Sequence, residues 1–167
     1  RTLEHSLTWA NERVQFGRPI SKFQAIQHSL AVMASEVAAA RAAVSMSVEA
    51  SAATASWFHV AVAKSRSGEA SGKVANASHA AFGAMGFTRE HLLHYSTRRL
   101  WAWRDEFGSE SEWQAELGRL IEHTGDQRDG DAVAAVRAPE ISRKSLHRLF
   151  RRLAHGEQAR PLVRFQN

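Results

Sequence analysis

The sequence predicts an all-α protein, an antiparallel four-helix bundle with a basic, poorly ordered tail. Three observations carry that prediction. Apolar residues recur at alternating spacings of three and four over long stretches, the mark of one helix face. No segment alternates convincingly between apolar and polar, so no strand is expected. Glycine and proline fall between the periodic segments, where they interrupt helices.

Residues 1 to 16 read as a first helix, with Leu3, Leu7, Ala10 and Val14 on one face. Trp9 lies about 100° round from Ala10 and must pack elsewhere. Gly17 and Pro19 then break the chain: one adopts angles closed to other residues, and the other cannot continue a helix. A second helix is expected from Pro19, a favoured first-turn residue. Its stripe is Phe23, Ile26, Leu30, Met33, Val37, Ala40 and Val44. Small residues from Ser51 to Ser56 form a weak break. A third helix follows from Phe58 to Phe82, weakened at Gly68 and Gly72 by about 1 kcal/mol each. Gly83 to Thr88 ends it. Thr88 is placed as the N-cap of a fourth helix, with Glu90 and His91 in its first turn and its end near Arg104. After a break at Phe107-Gly108-Ser109, the last helix is capped by Ser109 or Ser111 and carries Trp113, Leu117, Leu120 and Ile121.

The expected domain covers residues 1 to 123, followed from 124 to 167 by a linker and basic tail. Ile141 to Ala154 is a candidate short amphipathic helix. The net charge of +5 is unevenly placed: Arg143 to Arg164 holds seven basic residues and one acid, so the rest carries about −1. A nucleic-acid reading would rest on the tail alone, and no nucleic-acid partner is expected. Hydrophobic residues at 44% argue against disorder throughout. No apolar run is read as long enough to span a bilayer, and no signal peptide is visible. Cysteine is absent, which excludes disulfides and thiolate metal sites. The chain opens on Arg1 inside a helical pattern and is expected to be a piece of a longer protein.

Three motifs then fall in order: Arg13-Val14-Gln15-Phe16-Gly17-Arg18-Pro19-Ile20 followed by Phe23-Gln24, Gly83-Ala84-Met85-Gly86-Phe87-Thr88-Arg89-Glu90, and Arg98-Arg99 followed by Gly108-Ser109. Over the first 121 residues the chain resembles the C-terminal helical domain of the acyl-CoA dehydrogenase flavoproteins. The resemblance implies a role in α,β-dehydrogenation of acyl-CoA thioesters as part of a longer chain. It implies FAD as cofactor and a homodimer or homotetramer, with each flavin shared between neighbouring subunits. The location implied is the bacterial cytoplasm, or the mitochondrial matrix in a eukaryote.

By that resemblance, Arg13 reaches the pyrophosphate of a neighbour's FAD, which suits the bidentate donors of guanidinium. Gln15 adds a polar contact, and Phe16, Ile20, Phe23 and Ile26 line apolar parts of the site. Gly83 and Ala84 let backbone approach the nucleotide end, and Ser109 and Ser111 complete the cofactor candidates. The family often has glutamine where Ala80 stands and glycine where Ala84 stands, so one nucleotide hydrogen bond is absent. The position matching the catalytic base in many members is Phe107, which cannot take a proton. Glu106 is the nearest candidate, and in some relatives the base lies upstream of Arg1.

The plainer alternatives stay beside these. Arg13 also answers a helix dipole, Phe16 and Phe23 suit a core, and Glu106 and Glu110 suit solvated helix ends. Glu90, His91 and His94 have metal-like spacing without other support, and no metal is expected. Trp101, Trp103 and Trp113 suit core or interface as well as a pocket. The rival functions are a flavin-free helical assembly module derived from this family and a membrane or nucleic-acid binder driven by the tail.

Overall fold

The computed structural model describes residues 1–53 and 57–126. The candidate helix at Ile141 to Ala154 and the basic tail lie outside the described residues. The elements are α1 (Thr2–Glu12), β1 (Val14–Gln15), β2 (Arg18–Pro19), α2 (Gln24–Ala53), α3 (Trp57–Phe82), α4 (Leu93–Asp105) and α5 (Glu110–Asp126). Short 3-10 segments at Ile20–Lys22 and Gly83–Phe87 join β2 to α2 and lead from α3 toward α4.

α3 is the axis, and its sequence explains why. Its small buried residues, Ala61, Ala63, Gly68, Ala70, Ala75 and Ser78, let other helices approach closely. A side chain at Gly68 would meet Glu110 Cβ at 3.3 Å, and one at Gly72 would meet the Arg104 guanidinium at 3.4 Å. The two glycines that weaken α3 as an isolated helix therefore admit α5 and the end of α4. Thr97 and Trp101 of α4 pack on His79, while Trp113 of α5 stacks on Trp57. α4 and α5 thus lie in tandem along α3 and together fill one side of the bundle.

Two apolar clusters follow from this arrangement. One joins Ala10, Ile20, Leu30, Met33 and Val74, with Phe23, Ile26, Val37 and Leu100 against it. The other joins Val60, Ala61, Trp113 and Leu120. On α2, Ala40 and Val44 are half-buried, and Ala43 and Ser47 take the buried positions beyond Met33. Glu36 of α2 pairs with Arg66 and Lys73 of α3, and Glu69 pairs with the same two cations.

Five expectations are corrected. α1 stops at Glu12, not residue 16, because Val14–Gln15 turns back to pair antiparallel with Arg18–Pro19. A two-residue ladder is too short to show the alternation that marks a strand. Pro19 belongs to that ladder, and α2 begins at Gln24. The buried face of α1 is Thr2, Ser6 and Ala10, with Leu7 42% exposed. There the Ser6 and Ser78 hydroxyls approach to 3.1 Å, a spacing of α1 and α3 that suits small side chains. Thr88 does not cap α4: its hydroxyl donates back to Met85 O, and α4 starts only at Leu93. The His91 ring accepts from Leu93 N–H at 3.3 Å instead. Finally, Gln24–Ala50, with mean hydropathy 1.3 over its most apolar stretch, is long and apolar enough to cross a membrane by length and composition alone. Its ion pairs to α3 mark it as a packed bundle helix.

Candidate functional site

The hairpin at the end of α1 is built for its tip. Phe16 and Gly17 have φ of 51° and 76°. Positive φ at both central residues is the type I′ turn that matches the twist of paired strands. Glycine takes that geometry freely; phenylalanine does so at about 1 kcal/mol or more. The residue carrying that backbone strain is 92% exposed. The core alternative for Phe16 therefore does not hold, and its ring lies edge-to-face with Phe23, centroids 6.1 Å apart.

Arg13, Gln15 and Arg18 are exposed on the same hairpin. Gln15 and Arg18 are cross-strand partners, so their side chains leave the ladder on one face. The Arg13 guanidinium lies 5.8 Å from the Trp9 ring, and that of Arg18 lies 4.4 Å from the Phe23 ring. Among the described residues, neither cation has a carboxylate partner. Ile20, by contrast, is buried, and Phe23 and Ile26 are half-buried against the first cluster.

The second motif comes to the same end of the bundle. Trp9 stacks on Phe82 with centroids 4.8 Å apart, and both rings meet His91 edge-on. This aromatic group joins the root of the hairpin to the end of α3. Gly83, at φ of 60°, closes that helix with open space where a side chain would stand. Ala84 is exposed beside it.

The third motif lies elsewhere. α5 begins beside Gly68, fourteen residues before Phe82 on α3, or about 21 Å along the axis. Phe107 and Gly108 turn the corner with φ of 62° and 104°, and Trp113 Nε1 donates to Phe107 O at 2.9 Å. The Ser109 N–H donates to Glu112 Oε2 at 2.6 Å, and the Glu112 N–H reaches Ser109 Oγ at 3.4 Å. This is a capping box, as the Ser-x-x-Glu spacing allows. It holds the Glu112 carboxyl below its usual range, chiefly through the Ser109 N–H. Ser111 is exposed, its hydroxyl 3.1 Å from that of Ser109.

Glu106 is exposed at the end of α4, and Glu110 pairs with Arg104 at 3.2 Å. Lys64 of α3 donates to Arg104 O at 2.9 Å. Burial pushes its ammonium down, against the pull of Asp105 and Glu106. Phe107 offers no proton acceptor, so the corner holds chain geometry and contains no base at the expected position. Trp101 and Trp113 do not form one cluster: the first stacks on His79 and the second lies in the core. Among the described residues, no group of histidines and acids is placed to hold a metal.

Sequence reasoning misses His79, Lys64 and the Glu36 ion group. Each depends on which helices meet, and none has a local signature. The structure thus presents two separate surfaces. One carries Arg13, Gln15, Phe16, Arg18, Gly83 and Ala84; the other carries Glu106, Phe107, Ser109 and Ser111.

Residues 1–108 match the family model described as the acyl-CoA dehydrogenase C-terminal domain. The chain is 40% identical over 93 residues to 3-sulfinopropanoyl-CoA desulfinase of Paraburkholderia xenovorans, covering 56% of this chain and 24% of that protein. It is 35% identical over 99 residues to the acyl-CoA dehydrogenase IpdE2 of Mycolicibacterium smegmatis, covering 59% of this chain and 30% of that one. Among solved structures, a putative acyl-CoA dehydrogenase from Mycobacterium smegmatis superposes with a TM-score of 0.69 at 29% identity, over 73% of this chain and 32% of that one. The chain therefore spans about a quarter to a third of the length of these relatives.

Proposed function

The chain belongs to the acyl-CoA dehydrogenase family, whose C-terminal domain it carries, and we propose that it completes two FAD sites in an oligomer of acyl-CoA-oxidising subunits. The observation that carries this reading is the hairpin. It spends backbone strain to hold an exposed aromatic ring beside two cations with no carboxylate partner among the described residues. Strain of this kind persists where function requires it. A flavin-free assembly module would have no use for it.

The residues fit the cofactor. Two guanidiniums and an amide match the acceptors of a diphosphate, and Phe16 supplies a face for a flat ring. The open space at Gly83 admits a nucleotide close to backbone. Arg13, Gln15 and Phe16 would hold a flavin bound mainly by a neighbouring subunit. Ser109 and Ser111, at the α4–α5 corner beside Gly68, would touch the chain's own. FAD held by Arg13, Gln15 and Phe16 would supply an acceptor for a hydride from the acyl β-carbon, and a base would be needed for the α-proton. At the α4–α5 corner, Phe107 cannot serve as that base, and Glu106 is the nearest carboxylate.

The substrate in this reading is an acyl-CoA thioester, the assembly a homodimer or homotetramer, and the location the bacterial cytoplasm. The domain expected over residues 1 to 123 runs on to Asp126, where α5 ends, and the linker and basic tail expected after it lie outside the described residues. The 167 residues alone oxidise no acyl-CoA. Subunit mixing tests the shared site. Natural-length subunits with Arg13→Ala and Phe16→Ala are mixed with subunits changed at Ser109 and Ser111. Each parent alone loses flavin, and the mixed oligomer regains it in part. If the parents lose flavin and mixing restores none, both surfaces serve one flavin and the shared-site reading fails.

A further inference from the structure

His79 is a buried, titratable side chain to which the reading above gives no role. It is 9% exposed on α3, four residues before Gly83. Its ring stacks on Phe87, centroids 4.2 Å apart at 20°, and on Trp101, centroids 5.6 Å apart at 11°. Nε2 lies 2.9 Å from the Thr97 hydroxyl, which is itself fully buried. Nδ1 is buried with no hydrogen-bond partner. The backbone of Gly86 closes over that atom so tightly that a side chain there would stand 3.0 Å from it.

These contacts select one protonation state. With the proton on Nε2, the ring donates to Thr97 Oγ1, and the Thr97 hydroxyl is free to donate to Leu93 O, 3.4 Å away. Nδ1 then carries only an unused lone pair, the less costly kind of orphan. A second proton would need an acceptor at Nδ1, and among the described residues none is there. Nor does any facing element supply a compensating charge. The Gly83–Phe87 segment has no titratable side chain. α4 presents His94, whose charge also opposes protonation, and burial opposes it more. α1 brings His5, which bears on His91. On α2, Glu36 is engaged by Arg66 and Lys73.

We infer that His79 is a positioning residue for the Gly83–Phe87 turn: its neutral ring is the post on which Phe87 and Gly86 seat, and a proton on Nδ1 unseats them. The consequence for cofactor binding rests on the reading that Gly83 and Ala84 face the flavin. The sign follows from linkage. The open form takes up a proton near the ordinary histidine value of about 6.5, and the closed form resists it to lower pH. The closed turn is therefore fully favoured above that value and loses ground as pH falls below it. One pH unit below, the open population rises by up to about tenfold.

The test is amide hydrogen exchange of residues 83 to 87 in the natural-length protein at about pH 7.5 and 5.5, corrected for intrinsic chemistry, with flavin affinity measured in parallel. Exchange is expected to rise up to about tenfold in the wild type and after His94→Gln, and to stay level after His79→Gln, which keeps a donor for Thr97 but cannot charge. A wild type with no rise, or a rise that survives His79→Gln, overturns the inference. Should His79→Gln fail to fold, ring-nitrogen NMR of the wild type decides. A neutral Nε2–H tautomer persisting below the ordinary value supports the post, and ordinary titration with unchanged exchange removes it. If exchange rises while flavin affinity stays level with pH, the post stands and the flavin contact at Gly83 does not.

Discussion

Replacing Gly108 with alanine tests whether the α4–α5 corner is held as tightly as its geometry states. Its φ of 104° is one that residues with a side chain rarely adopt, and forcing alanine there costs about 1–3 kcal/mol. The new methyl group would also stand 2.8 Å from Trp113 Nε1. The indole cannot yield freely, because it is 3% exposed and donates to Phe107 O at 2.9 Å. Losing that bond adds about 1 kcal/mol. The total expected for Gly108→Ala is about 2–4 kcal/mol, read as a shift in equilibrium urea unfolding followed by circular dichroism. Trp113→Phe removes the bond and the clashing nitrogen together. Gly108→Ala in that background should therefore cost about 1 kcal/mol less than in the wild type. A wild-type effect within about 0.5 kcal/mol of zero, or strict additivity in the double variant, would refute the reasoning.

Four further outcomes are expected. Ser109→Ala removes the cap of α5 and costs about 1 kcal/mol in the same unfolding assay. The Ser109 N–H keeps the Glu112 carboxyl below its usual range, so the stability it confers is present above the unfolded value of about 4.3 and lost as pH falls through the folded one. Glu112→Gln should flatten that acid limb in a pH series of denaturation midpoints. Met33→Ala opens a cavity at a fully buried position between α2 and its neighbours and should cost about 2–5 kcal/mol in calorimetry or urea. Trp9→Ala removes the ring that joins Arg13 to Phe82 and His91. Because Trp9 is half-buried, the substitution should lower stability by less than the about 3–5 kcal/mol of a fully buried tryptophan, and it should loosen the hairpin in hydrogen exchange, with exchange in α5 unchanged under native conditions.

The helices were legible where a long periodic face or a glycine break defined them. The third-helix boundaries at Phe58 and Phe82 lie within one residue of α3. The Gly17–Pro19 break was legible as punctuation, but its form was not, because a two-residue ladder is decided by the turn. α1 shows the limit of apolar periodicity: where two helices nearly touch, Ser6 outcompetes Leu7 for the buried position. Gly68 and Gly72 looked like weaknesses, because the partners that need their space, Glu110 and Arg104, are some 30 to 40 residues away. Of the candidate site, Arg13, Gln15 and Phe16 are exposed on the hairpin, as their place at a helix-ending break suggests. Ile20 faces the core, a placement set by the 3-10 segment that follows the hairpin. His79 had no sequence signal, since the rings that stack on it, Phe87 and Trp101, come from different elements.

What the hairpin touches decides whether this domain holds flavin. The most direct measurement is the flavin dissociation constant of the natural-length protein, wild type against Arg13→Ala and Phe16→Ala combined, with circular dichroism confirming that the helices are intact. Losing a charge-assisted contact worth about 1.5–3 kcal/mol predicts affinity weakened by about tenfold to a hundredfold or more. Unchanged flavin affinity in the folded double variant would contradict the account.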